Sequence, residues 1–133
     1  MQGDPISRPM PDLEEIQNAI EDATFDFTMG DAPIAISKLE NLLESHPESF
    51  NAWHALCEIR YSEKLYAEAL QAAEKAHALD PDDLFINTSL SRIWLELGSK
   101  EKAEHFGAQA KIADWKEQLK NPDQAKTGLD VTE

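Results

Sequence analysis

The stretch AEALQAAEKAHALDPDD, Ala67 to Asp83, decides the fold. Ala69, Ala73 and Ala76 fall at i, i+4 and i+7, so in a helix they share one face. Side chains this small let two helices approach toward the near end of the usual interaxial range of about 8–10 Å, which bulky residues would prevent. Pro81 then biases Asp80 away from helical backbone and ends the helix. Asp82 or Asp83 is placed to cap the next one.

Working outward from this stretch, the same features return at a fixed interval. Pro47 and Pro81 are 34 residues apart (81 − 47 = 34), and Ala35, Ala69 and Ala103 keep that spacing. Small residues Ala23, Cys57 and Ser91 repeat it, as do Leu42, Ala76 and Ala110. Several independent columns with one period are the signature of a repeat architecture.

The unit FNAWHALCEIRYSEKLYAEALQAAEKAHALDPDD, Phe50 to Asp83, resembles the tetratricopeptide repeat. Trp53, Leu56, Cys57, Ala69, Ala76 and Pro81 stand where that family has Trp, Leu, a small residue, Ala, Ala and Pro. In Leu84 to Glu117, Leu90, Ser91, Gly98, Ala103 and Ala110 match, while Asn87 replaces the Trp and Trp115 the Pro. In Ile16 to Ser49, Ala23, Gly30, Ala35 and Pro47 match, with Asp22 where Leu is usual. The resemblance implies an all-α fold, an α-solenoid of three tandem helix-turn-helix repeats forming a right-handed superhelix. The units are 16–49, 50–83 and 84–117, between a partly irregular lead, 1–15, and a helix end with a disordered tail, 118–133.

Helices are expected near 12–29, 32–45, 50–62, 65–79, 84–97 and 100–120. Gly30 and Gly98 fall just past helix ends, where a left-handed residue costs least, and Asp31 and Ser99 follow as N-cap candidates. The turn at Ser62 to Lys64 has no glycine. The family's arrays often carry a further helix after the last repeat, and none is evident here. Phe106, Ala110, Ala113 and Trp115 on the final helix are therefore expected to form an outer patch, exposed or covered by self-association.

Charge and composition narrow the function classes. A formal charge of -14 opposes binding to phosphate backbones, which depends on Lys and Arg, and equally opposes anionic membrane surfaces. Cys57 is the only cysteine, so neither a disulfide framework nor a cysteine zinc cluster can form within the chain. No apolar run approaches spanning length, and the expected location is cytoplasmic. His46, His54, His77 and His105 have no tight metal-ligand spacing. Asp80, Asp82 and Asp83 lack the glycine and terminal glutamate of a calcium loop. No phosphate loop or nucleophile elbow is present. No catalytic residue, metal site or cofactor is expected, and the chain is read as not an enzyme.

The resemblance further implies that the first helix of each pair lines a concave groove holding peptides or helices of partner proteins. Carried over by register, the groove positions include Ile20, Thr24 and Phe27 from the first unit and Asn51, His54, Glu58 and Tyr61 from the second. Phe85, Thr88, Arg92 and Leu95 come from the third. Ile20, Phe27, Tyr61, Phe85 and Leu95 would be apolar anchors, unless they turn into the core between repeats. The carboxylate clamp of chaperone-tail binders is absent, because Ile20, Thr24, Ala55, Phe85 and Ser89 occupy its positions. Residues 16–49 carry seven acids and one base, against five of each in 84–117, so a basic or amphipathic partner would be steered to the N-terminal half. The expected role is a protein-binding module. The alternatives are an acidic chaperone for apolar segments and a subunit that self-associates, as a homodimer, through its terminal helix.

Overall fold

The computed structural model describes residues 13–120. Within them six helices follow one another: α1 Leu13–Thr28, α2 Ala32–Ser45, α3 Phe50–Ser62, α4 Tyr66–Leu79, α5 Leu84–Glu96 and α6 Lys100–Lys120. They pack as three consecutive pairs, α1 with α2, α3 with α4 and α5 with α6. Each pair also contacts the next, and α3 touches α1 on one side and α5 on the other. The result is an all-α helical-repeat solenoid. The lead before residue 13 and the tail after residue 120 lie outside the described residues.

The turns inside the pairs follow one design. Gly30, Lys64 and Gly98 all have positive φ, at 94°, 64° and 91°. At each turn this residue's N–H bonds three residues back and the next residue's N–H five back: Gly30 to Phe27 O and Asp31 to Asp26 O, then Lys64 to Tyr61 O and Leu65 to Arg60 O, then Gly98 to Leu95 O and Ser99 to Trp94 O. This pattern satisfies carbonyls that the helix end leaves free, and it needs a left-handed residue. Lys64 supplies the one that is not glycine.

Capping is less uniform. Asp83 Oδ2 accepts from Ile86 N at 2.8 Å, settling the choice between Asp82 and Asp83, and Ser49 and Ser99 cap α3 and α6 through Ala52 N and Lys102 N. Asp31 makes no side-chain cap bond, contrary to expectation. Its backbone, at φ -104° and ψ 58°, departs from the extended conformation in which Ser49 and Asp83 cap their helices.

Burial follows the small-residue columns. Ala23, Ala35, Cys57, Ala69, Ala72, Ala73 and Ala76 have no exposed surface. The larger core residues Leu39, Leu56, Ile86, Leu90 and Ile93 fill between them. Burial pushes the Cys57 thiol up to about 12, consistent with a small packing residue rather than a reactive one. The substitution of Trp53 by Asn87 one period later has a local reason. Trp53 Nε1 donates to Pro47 O at 2.8 Å, and Asn87 Nδ2 donates to Pro81 O at 2.9 Å, so both side chains tie the helix to the proline turn before it.

The two ends differ. Ala52, Leu56 and Ile59 in α3 are buried, as are Ile86, Leu90 and Ile93 one period on in α5. The same positions in α1 are Asn18, Asp22 and Phe25, all exposed. Asp22 there joins Asp26 around Lys38 Nζ, at 2.8 and 2.6 Å, and the two carboxylates raise the lysine's pKa. At the other end the expected patch on α6 needs correcting. Ala110 and Ala113 are buried, and Phe106 is half-buried with its ring edge-on to His77 of α4 and to His105, so these residues face inward. Trp115 is exposed, together with Ile112 and Leu119 at i−3 and i+4. With Trp115 in place of the repeat's proline, α6 runs on to Lys120.

Candidate functional site

The first helices of the three pairs, α1, α3 and α5, lie side by side. On α3 the positions Asn51, His54, Glu58 and Tyr61 follow helical spacing along one stripe, and Phe85, Thr88, Arg92 and Leu95 do so on α5. Because Arg92 sits one 34-residue period after Glu58, the two occupy equivalent places on neighbouring helices and meet across the seam.

Glu58 is the centre of this meeting. Arg92 Nη2 donates to both its oxygens, at 3.0 and 3.1 Å. The hydroxyl of buried Ser89 makes a short hydrogen bond to Glu58 Oε2, and His54 Nε2 lies 3.5 Å from the same oxygen. Partial burial alone would raise the carboxyl's pKa, but the bonds from His54, Ser89 and Arg92 outweigh it and lower it to about 2. The Arg92 guanidinium also covers the Tyr61 ring, with Cζ 4.8 Å from its centre. Tyr61 in turn meets Tyr66 edge-on at 5.4 Å, and Phe50 lies 5.9 Å from the His54 ring. Glu58, Arg92, Ser89, His54 and Tyr61 therefore form one connected polar surface, fixed from three sides.

The remaining groove positions divide by burial. Phe85 and Leu95 flank Arg92 on α5 and are 64% and 62% exposed. Thr24, Asn51 and Thr88 are exposed, with the threonine hydroxyls turned back to Ile20 O and Leu84 O along their own helices. Phe27 and Tyr61 are half-buried against the core. Ile20 is 6% exposed and belongs to the core, so it does not offer the apolar anchor expected of it. The middle of the stripe is thus charged, with large apolar side chains available on α5 alone. In the sequence Ser89 stands out only as occupying a clamp position. Its place in the network follows from its being one helical turn from Arg92 and facing Glu58.

Chemically, the surface can bind and orient. No group of three or more His, Cys, Asp or Glu residues that could hold a metal ion occurs among the described residues. None of the described helices is long and apolar enough to cross a membrane.

Neither a family model nor a curated protein matches this sequence. Solved structures do match. The crystal structure of MamA superposes with a TM-score of 0.74 at 16% identity, covering 78% of this chain and 61% of that one. The match shows the fold, an all-α helical-repeat solenoid. A second MamA structure, from MSR-1, gives 0.69 at 20% identity over 77% of this chain and 59% of that one. A structure of the CopN-Scc3 complex gives 0.73 at 18% identity over 90% and 70%. This chain spans about three-fifths of those MamA chains.

Proposed function

We propose that the chain is a non-catalytic protein-interaction module of three tetratricopeptide units, 16–49, 50–83 and 84–117, which holds a peptide or amphipathic helix of a partner protein in its concave groove. The observation that carries this reading is the α5 stripe. Phe85 and Leu95 leave most of their apolar surface in water on either side of an arginine already oriented by Glu58 and Tyr61. Exposed aromatic side chains beside a fixed polar group are what interface hot spots are made from. The match to a chain of the CopN-Scc3 complex supports the class of function, since that solenoid was solved as part of a protein assembly.

In this reading Asn51, Thr24 and Thr88 form the polar rim, and His54, Glu58 and Arg92 fix register on a partner's polar groups. The excess of acids in residues 16–49 steers a basic segment toward α1. The test is capture of partners by the wild-type chain and by a Phe85→Ala/Thr88→Arg variant, whose changes fall on exposed positions. Loss of one stoichiometric partner from a variant with unchanged helicity supports the groove. Equal capture by both proteins overturns it. Promiscuous suppression of aggregation by the wild type, with no stoichiometric partner, would replace the adaptor with a chaperone for apolar segments.

A second reading, self-association, is favoured by the exposed stripe of Ile112, Trp115 and Leu119 on α6. Light scattering would show a homodimer for the wild type and a monomer for Trp115→Ala/Leu119→Ala. A monomer for both at high concentration removes this reading and leaves the groove untouched.

A further inference from the structure

A second recess lies away from the Glu58 cluster. Trp53, Leu56 and Arg60 occupy the face of α3 opposite Glu58, and with α2 and α4 they line an open cavity of about 510 Å³, well within the range of about 300–1,000 Å³ usual for ligand sites. Its floor is apolar, from Leu43, Leu56 and Trp53, and the indole is held by its bond to Pro47 O. Around it stand Glu40, Glu44, Glu74, Arg60 and Lys75.

The charges in this wall are not equivalent. Arg60 donates to Glu40 Oε2 at 2.8 Å and to Glu68 O at 3.0 Å, with its side chain only 12% exposed. Its charge is therefore matched within the fold. Two carboxylates, Glu44 and Glu74, remain against the single ammonium of Lys75, in a chain whose formal charge is -14. An apolar floor with an indole and an excess of carboxylates is suited to a cation on an aliphatic stem.

The neighbouring seam, between α4 and α6, shows what such a place can hold. Trp94, one period on from Arg60, has Lys102 Nζ 4.2 Å from its ring centre, a contact between α5 and α6 inside the third pair. One period on from Ala72, Phe106 packs edge-on against His77 and His105. The second seam thus holds the chain's own aromatic and imidazole rings. In the first, Ala72 offers no such bulk.

We propose that the cavity between α2 and α4 is a second contact site, taking an arginine side chain of a partner protein. The guanidinium would lie against the Trp53 indole and between the Glu44 and Glu74 carboxylates, its planar fork suiting both contacts. This inference rests on the reading of the chain as a protein-interaction module.

The test is an NMR titration of the full chain with the peptide acetyl-Gly-Arg-Gly-amide, using acetyl-Gly-Glu-Gly-amide as the control. The arginine peptide is expected to move the Trp53 indole N–H signal and the amides of α2 and α4, while the glutamate peptide moves neither. Glu44→Gln/Glu74→Gln, at two exposed positions, is expected to weaken binding about five-fold, the loss of two solvent-exposed ion pairs. The proposal is overturned if the Trp53 signal stays still, if both peptides act alike, or if the double variant binds as the wild type does. It is equally overturned if shifts appear only around Glu58 and Arg92. Partner capture by Glu44→Gln/Glu74→Gln separates the two sites: retained capture alongside a silent cavity removes this site and leaves the concave groove standing.

Discussion

Replacing Glu58 by Gln preserves the shape of the side chain and one acceptor while removing the charge that Arg92, Ser89 and His54 address. The Arg92 pair is substantially solvated, with side chains 45% and 37% exposed. Screening therefore limits it to about 0.5–1 kcal/mol. The hydrogen bond from Ser89 is different, because its donor is buried. Weakening a charge-assisted bond of this kind costs about 1–1.5 kcal/mol. The expected destabilisation at neutral pH is then about 2 kcal/mol, read as the difference in urea unfolding free energy between the two proteins. Its pH dependence has a defined sign. The carboxyl's pKa is lowered in the folded chain from its ordinary value to about 2, so its contribution is present above the unfolded pKa and is lost as pH falls through the folded one. The difference between wild type and Glu58→Gln should be full at pH 7 and roughly half or less by pH 3. A difference below about 0.5 kcal/mol at pH 7 would contradict the role given to Ser89. A difference that stays constant between pH 7 and pH 3 would show that the charge itself is not what holds the cluster together.

Other consequences can be checked with the same apparatus. Lys64 stands at φ 64° in a turn whose two counterparts are glycines, so Lys64→Gly should stabilise by about 0.5–1 kcal/mol, left-handed strain outweighing the added freedom of the unfolded chain. Gly98→Ala should destabilise by about 1 kcal/mol, because the added Cβ meets nothing within 4 Å and only the φ of 91° opposes it. Leu39→Ala, at a position without exposed surface, should cost about 2–5 kcal/mol in the same unfolding assay. Cys57, buried and with its thiol pushed up to about 12, should resist a thiol reagent at pH 8 in the native chain and react fully in urea; rapid native labelling would place it outside the core.

The sequence was most informative where structure is local or periodic. Alanines at helical spacing, prolines after helices and glycines at the turns put all six helices within about two residues of their observed ends. The turn at Lys64 was obscure because its left-handed residue is chemically unmarked, although its place 34 residues after Gly30 and before Gly98 identifies it. On α6 the repeat column is the guide to direction: Ala110 stands one period after the buried Ala76 and is buried in turn, whereas the spacing of Trp115 with Ile112 and Leu119 marks the outer face.

In the groove, register found Glu58, Arg92, His54 and Tyr61, but not that they bond to one another. Apart from His54 with Glu58, one turn apart on α3, those contacts join helices, and distance along the chain says little about them. Equivalence does help, because opposite charges at one repeat position on adjacent pairs, as at Glu58 and Arg92, are brought face to face by the stacking itself. Arg60 with Glu40, 20 residues apart, has no such rule behind it. Nor could register show that Ile20 is enclosed while Phe85 stays in water, since that depends on how tightly α1 and α5 meet their neighbours.

The most direct test of concave binding uses a photo-crosslinking amino acid at position 88, on the exposed α5 stripe, and at position 82, in the turn between α4 and α5. Irradiated in the native extract, the chain labelled at 88 should form one discrete adduct with a partner protein, lost on introducing Phe85→Ala, while the chain labelled at 82 forms none. Adducts at 82 alone, or an adduct at 88 that persists without Phe85, would contradict the groove as the site of capture.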